Sequence, residues 1–145
     1  MSNFTGHAAA GAAVSIATGV AMVCFKDRFP EFKPLIRTIP LVCAGIMFGS
    51  LYPDTDIKSK SGMICNAVLL VAGLIGIWLL KNLYILGVMA GMILVPMFSR
   101  HRKITHTVLF NLITVIYIWF LISPYLAAGC FVGALCHLIL DRVRL

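Results

Sequence analysis

The feature that most limits how this chain can fold is its succession of apolar runs with only short polar breaks between them. Six stretches can be marked: His7 to Phe25, Leu35 to Tyr52, Met63 to Leu80, a fourth from beyond Lys81-Asn82 to Phe98, Thr107 to Ile122, and Tyr125 to Leu140. Each is near the lower limit of what crosses a hydrocarbon core ~30 Å thick. The expected fold class is therefore all-α, an integral membrane bundle of about six short transmembrane helices. An unbroken helix from Met63 to Phe98 would be roughly 54 Å long at ~1.5 Å per residue, so Lys81-Asn82 is read as a hairpin turn. Pro53 ends the second stretch, and Ser123-Pro124 separates the last two.

Composition narrows the class further. The chain is 61% hydrophobic and 12% charged over 145 residues, with a mean hydropathy of +0.99, which excludes an ordinary soluble globular protein. No polar run is long enough for a second soluble domain, so residues 1–145 are expected to form a single transmembrane domain. The 12 glycines, with many alanines, suit helices that approach closely in lipid. A net charge of +7 reads first as a topology signal, and second as contact with anionic headgroups or a phosphate-bearing substrate. The basic residues are scattered among short loops without a recognition motif, so membrane lipids are the expected partners and nucleic acid is not. Cys24, Cys43, Cys65, Cys130 and Cys136 form no CxxC pair and read as small core hydrophobes.

Against this background, the polar residues at the edges of the apolar runs stand out. If all six stretches cross, the start of the first, the loop after the second, the loop after the fourth and the end of the sixth share one side of the membrane. Those places hold His7, then Asp54 and Asp56, then His101 and His106, then His137 and Asp141. The same side carries Lys58, Lys60, Arg100, Arg102, Lys103, Arg142 and Arg144, against Lys26, Arg28, Lys33, Arg37 and Lys81 opposite, a bias that points this face toward the cytoplasm.

These seven residues have the chemistry of metal ligands. His137 and Asp141 are spaced to share one helix face with Cβ atoms ~6 Å apart. Asp54-Thr55-Asp56 follows Pro53, which would present its carboxylates from an extended turn. Asp141 near a helix end is disfavoured by ~0.3 to 1 kcal/mol unless a cation compensates, and His7 near a helix start is biased toward the neutral imidazole that binds metal. Mixed imidazole and carboxylate ligands suit Zn, taken first, with Mn or Fe also accommodated. Seven ligands exceed one tetrahedral site, so one or two divalent ions are expected. Bound water would be activated for attack on a phosphorus or carbonyl centre, with Asp54, Asp56 or Asp141 orienting or deprotonating it. Arg102 and Lys103, with Arg100 as a third candidate, could hold an anionic oxygen in the transition state. Thr105 and Thr107 read first as N-caps of the fifth helix.

The ordered set His7-Ala-Ala-Ala-Gly11, Leu51-Tyr52-Pro53-Asp54-Thr55-Asp56, His101-Arg102-Lys103-Ile104-Thr105-His106-Thr107 and Gly133-Ala-Leu-Cys-His137-Leu-Ile-Leu-Asp141 resembles the YdjM-type family of membrane-bound, metal-dependent hydrolases. That family's pattern opens HxxxG, continues through LPDxD and HRGxTHS, and closes HxxxD. Tyr52 stands here for the leucine before Pro-Asp, Lys103 for the glycine and Thr107 for the serine. None of these departures removes a ligand, although losing the glycine bears on the turn between His101 and His106. The resemblance implies metal-dependent hydrolysis at the bacterial inner membrane. A looser likeness of the His/Asp inventory to zinc-dependent phospholipase C and related nucleases leans the expectation toward a phosphoester of a phospholipid or lipid-linked substrate. Two other readings stay open at this point: a metal or ion transporter, and a non-catalytic membrane protein with a structural metal. Oligomeric state is left open.

Overall fold

The structure, a computed structural model, describes residues 4–25, 38–54, 60–80, 87, 90–94 and 106–142. Its helices are α1 (Phe4–Phe25), α2 (Ile39–Leu51), α3 (Lys60–Leu80), α4 (Val108–Leu121) and α5 (Pro124–Arg142), with α2 tightening into a 3-10 turn over Tyr52–Asp54. Residues 90–94 are also helical, and there is no strand among the described residues. The all-α class is therefore as expected.

Not every apolar stretch is of spanning length. Thr5–Phe25 and Pro124–Asp141 are long and apolar enough to cross a membrane, whereas Ile39–Asp54 and Val108–Leu121 are shorter. α2 has 13 residues and α4 has 14. At ~1.5 Å per residue these two reach only ~20 Å, short of a ~30 Å core, so among the described residues the count of about six short transmembrane helices is not fully supported. The Lys81-Asn82 hairpin lies outside the described residues.

The bundle is organised around α2, which packs most extensively on α5 and next on α1, while α5 also carries α4. Glycines explain the α2–α5 contact. A Cβ on Gly45 would strike the Leu126 carbonyl, and one on Gly49 the Cys130 carbonyl; from the other side, Gly129 faces the Val42 carbonyl and Gly133 the Ile46 carbonyl. Backbone thus lies on backbone, which only small residues at four-residue spacing allow. On the α1 side, Ser15 Oγ donates to the Cys43 carbonyl at 3.3 Å and Cys43 Sγ donates to the Ser15 carbonyl at 3.4 Å.

Local signals set the helix ends. Thr107 caps α4, its Oγ1 accepting the Phe110 amide at 3.2 Å, as its sequence position suggested; Thr105 lies outside the described residues. Pro124 opens α5, a place where its missing N–H costs nothing. Tyr52 is 2% exposed. Its hydroxyl donates to the Met92 carbonyl at 2.9 Å, and its ring lies between those of Phe48 and Phe110. The outward faces of the helices are apolar: Trp78, Phe120, Ile16 and Ile139 are all exposed, as a lipid solvent permits. All five cysteines are free; Cys65 and Cys130 are buried in the core as expected, Cys43 and Cys136 are half-buried, and Cys24 is exposed, so it is no core residue.

Candidate metal centre

Four elements deliver one residue or two each to the same end of the bundle. His7 comes from the first turn of α1, Asp54 from the 3-10 turn, His106 from just before the α4 cap, and His137 with Asp141 from the last turns of α5. Asp54 is therefore held on a tight helical turn rather than an extended one. Pro53, buried behind it, fixes φ and suits that geometry.

The α5 pair meets as its spacing requires, with His137 Nε2 3.3 Å from Asp141 Oδ2. His106 Nε2 lies 3.3 Å from Asp54 Oδ1, 3.3 Å from Asp141 Oδ2 and 3.4 Å from His137 Nε2. One ligand atom from each of Asp54, His106, His137 and Asp141 falls within 4.8 Å of the other three, a group that could hold a metal ion. His7 Nε2 approaches from the opposite side, 3.2 Å from Asp141 Oδ1 and 3.8 Å from Asp54 Oδ2.

Two observations test whether these residues fit a cation. The His137 ring is fully buried, and its Nδ1 lies 2.8 Å from the Ser50 carbonyl. A carbonyl can only accept, so Nδ1 carries the proton and the Nε2 lone pair faces the acids, the arrangement by which a backbone carbonyl orients a metal-binding histidine. His7 is 3% exposed, yet neither of its ring nitrogens has a hydrogen-bond partner among the described residues. Its closeness to Asp141 is thus a matter of distance without hydrogen-bond alignment. A buried imidazole left unbonded costs ~1 to 3 kcal/mol, a cost that coordination of a cation would remove. The donor set fits a metal ion.

Exposure grades across the group. His137 and His7 are shut in, Asp54 is 15% exposed, and Asp141 and His106 are 25% and 26% exposed. One side is walled by helix and the other opens outward. Asp54 lies beyond the end of α2, where burial works to raise its carboxyl; the His106 hydrogen bond and the neighbouring imidazoles outweigh that and hold it below the usual carboxylate value.

A family model described as YdjM inner membrane protein matches residues 1–144. The chain belongs to that family. It is accordingly an integral inner membrane protein; among the described residues, Thr5–Phe25 and Pro124–Asp141 are long and apolar enough to cross a membrane. No curated protein and no solved structure matches it.

Of the residues singled out in the sequence, His7, Asp54, His106, His137 and Asp141 come together. Asp56, His101, Arg100, Arg102 and Lys103 lie outside the described residues. Sequence reasoning missed the Ser50 carbonyl, a main-chain group with no residue-type signature. Gly11 and Gly133 stood in the quoted motifs, but not for their packing: a Cβ on Gly11 would strike Ser50 Oγ and one on Gly133 the Ile46 carbonyl, and the paired spacings Gly45/Gly49 and Gly129/Gly133 went unread. Those spacings are visible in the chain as two small-xxx-small motifs.

Proposed function

We propose that this YdjM-family chain is an inner-membrane hydrolase that uses a divalent metal, Zn first with Mn or Fe as alternatives, to cleave a phosphoester of a phospholipid or lipid-linked substrate on the cytoplasmic face. The observation that carries the reading is the convergence of three imidazoles and two carboxylates from four elements, with His7 buried and unbonded at its back. A divalent ion held by Asp54, His106, His137 and Asp141 would supply an activated water and charge stabilisation for the nonbridging oxygens. The chain's own residues do the rest. Ser50 holds His137 in one tautomer. One of Asp54, Asp56 or Asp141 orients the attacking water or takes its proton, a role open to Asp56 even where both other carboxylates are taken up as ligands. Arg102 and Lys103, just before His106 in the chain, recruit the anionic headgroup.

The open edge favours this over a structural metal, which would close its shell; His106 and Asp141 remain a quarter exposed. Transport needs polar groups continuing through the helices. The buried Asn111 and Thr114 each donate to carbonyls of their own helix region, Thr107 and Phe110, which satisfies their backbone neighbours locally. The deciding experiment measures metal content of the detergent-purified protein and headgroup release from a panel of common phospholipids. Wild type should hold metal and release headgroup, and His137→Ala should lose both. Protein without transition metal under metal-replete conditions, or an active His137→Ala variant, would end the proposal.

A further inference from the structure

The two sides of the carboxylates are not equivalent. Asp141 turns Oδ2 toward His106 and His137, both at 3.3 Å, and Oδ1 toward His7 at 3.2 Å. Asp54 does the same, with Oδ1 3.3 Å from His106 and 3.8 Å from His137, and Oδ2 3.8 Å from His7. Each acid thus offers one oxygen to the four-residue group and the other oxygen to His7.

The imidazoles are divided in the same way. His7 and His137 stack with centroids 4.0 Å apart and planes inclined by 23°. An imidazole binds metal in its own ring plane, ~2.0 to 2.1 Å from the nitrogen. For face-to-face rings with that separation and tilt, the planes meet only on the order of 10 Å away, far beyond that ligand distance. One ion cannot serve both rings. His106, by contrast, sits edge-on to His137 at 61°, so their planes do cross close by.

We infer that the site is dinuclear: one ion on His106, His137, Asp54 Oδ1 and Asp141 Oδ2, a second on His7, Asp54 Oδ2 and Asp141 Oδ1, with both carboxylates bridging. The inference rests on the metal-centre reading proposed above and adds the second ion to it. Two metals in hydrolytic sites stand ~3.5 to 4 Å apart, which is the separation of the stacked rings whose lone pairs would hold them. His7 then has a reason to be buried without a hydrogen-bond partner. The second ion also has three protein ligands, which leaves it room for water or a substrate oxygen.

The test uses Mn(II) as probe on the full-length chain in detergent, stripped with chelator and re-equilibrated by dialysis. Wild type should bind two Mn per chain and show the exchange-coupled electron paramagnetic resonance spectrum of a bridged pair. His7→Ala should bind one, with an isolated six-line signal, while circular dichroism shows helicity retained; His7→Gln, which keeps size and polarity, should behave alike and serves if the alanine variant does not fold. A single Mn per wild-type chain at saturation, or a coupled pair surviving in either His7 variant, overturns the dinuclear assignment and leaves the proposed hydrolase standing. Wild type that binds neither Mn nor, in a parallel dialysis, Zn overturns both.

Discussion

The α2–α5 seam and the outer face of α3 are both built from apolar helix, and they do opposite work. Along the seam, glycines bring main chain against main chain, closer than any Cβ would allow. Along α3, Val68, Leu70, Val71, Leu74, Ile75 and Trp78 are exposed. Hydrophobicity alone therefore does not hold this bundle together, because lipid satisfies an apolar side chain as well as a neighbouring helix does. Close packing does, and the seam is where it occurs. It also sets Ser50, at the end of α2, against His137 on α5, so the same contact that builds the fold orients a ligand.

The sharpest way to break this contrast is to add side chains to the seam. Gly49→Val or Gly133→Val places carbon against a carbonyl carbon or oxygen, and the expected loss is about 3 kcal/mol, the upper end for overpacking, read as loss of folded protein in detergent melts. His137→Ala comes next: it leaves the buried Ser50 carbonyl unpaired, for ~1 to 3 kcal/mol, seen in the same melts. Tyr52→Phe keeps the ring between Phe48 and Phe110 but removes the hydrogen bond to Met92, with an expected cost of ~1 kcal/mol. Thr107→Ala should cost ~1 kcal/mol or slightly less by uncapping α4, visible as lowered helix content at elevated temperature. Trp78→Leu on the α3 face should stay within ~0.5 kcal/mol; a melt shifted as far as that of Gly49→Val would show that the outer face carries structure after all.

Much of this was legible in the chain. The Ser123-Pro124 break, the Thr107 cap and the His137/Asp141 spacing are local, and local signals survive folding. The parity argument, which took all six stretches to cross, grouped His7, Asp54, Asp56, His101, His106, His137 and Asp141, and five of these meet among the described residues. The Thr107 to Ile122 run matches α4 to within one residue at each end, but an apolar run reports what lipid or core will accept and not whether the helix in it crosses. The presentation of Asp54 was misjudged, because Pro53 is compatible with both an extended and a 3-10 turn and only its burial selects the second.

By itself, the sequence determined that the chain is helical, that it lives in a membrane, and which imidazoles and carboxylates stand at the helix ends. Hydropathy and proline depend on residue identity, so they can be read one residue at a time. Only the tertiary structure decided that Ser50 lends its carbonyl to His137, that His7 stacks on His137, and that each carboxylate turns one oxygen to either side. Those facts are relations between segments as far apart in the chain as Ser50 and His137, fixed by how closely glycines let two backbones approach.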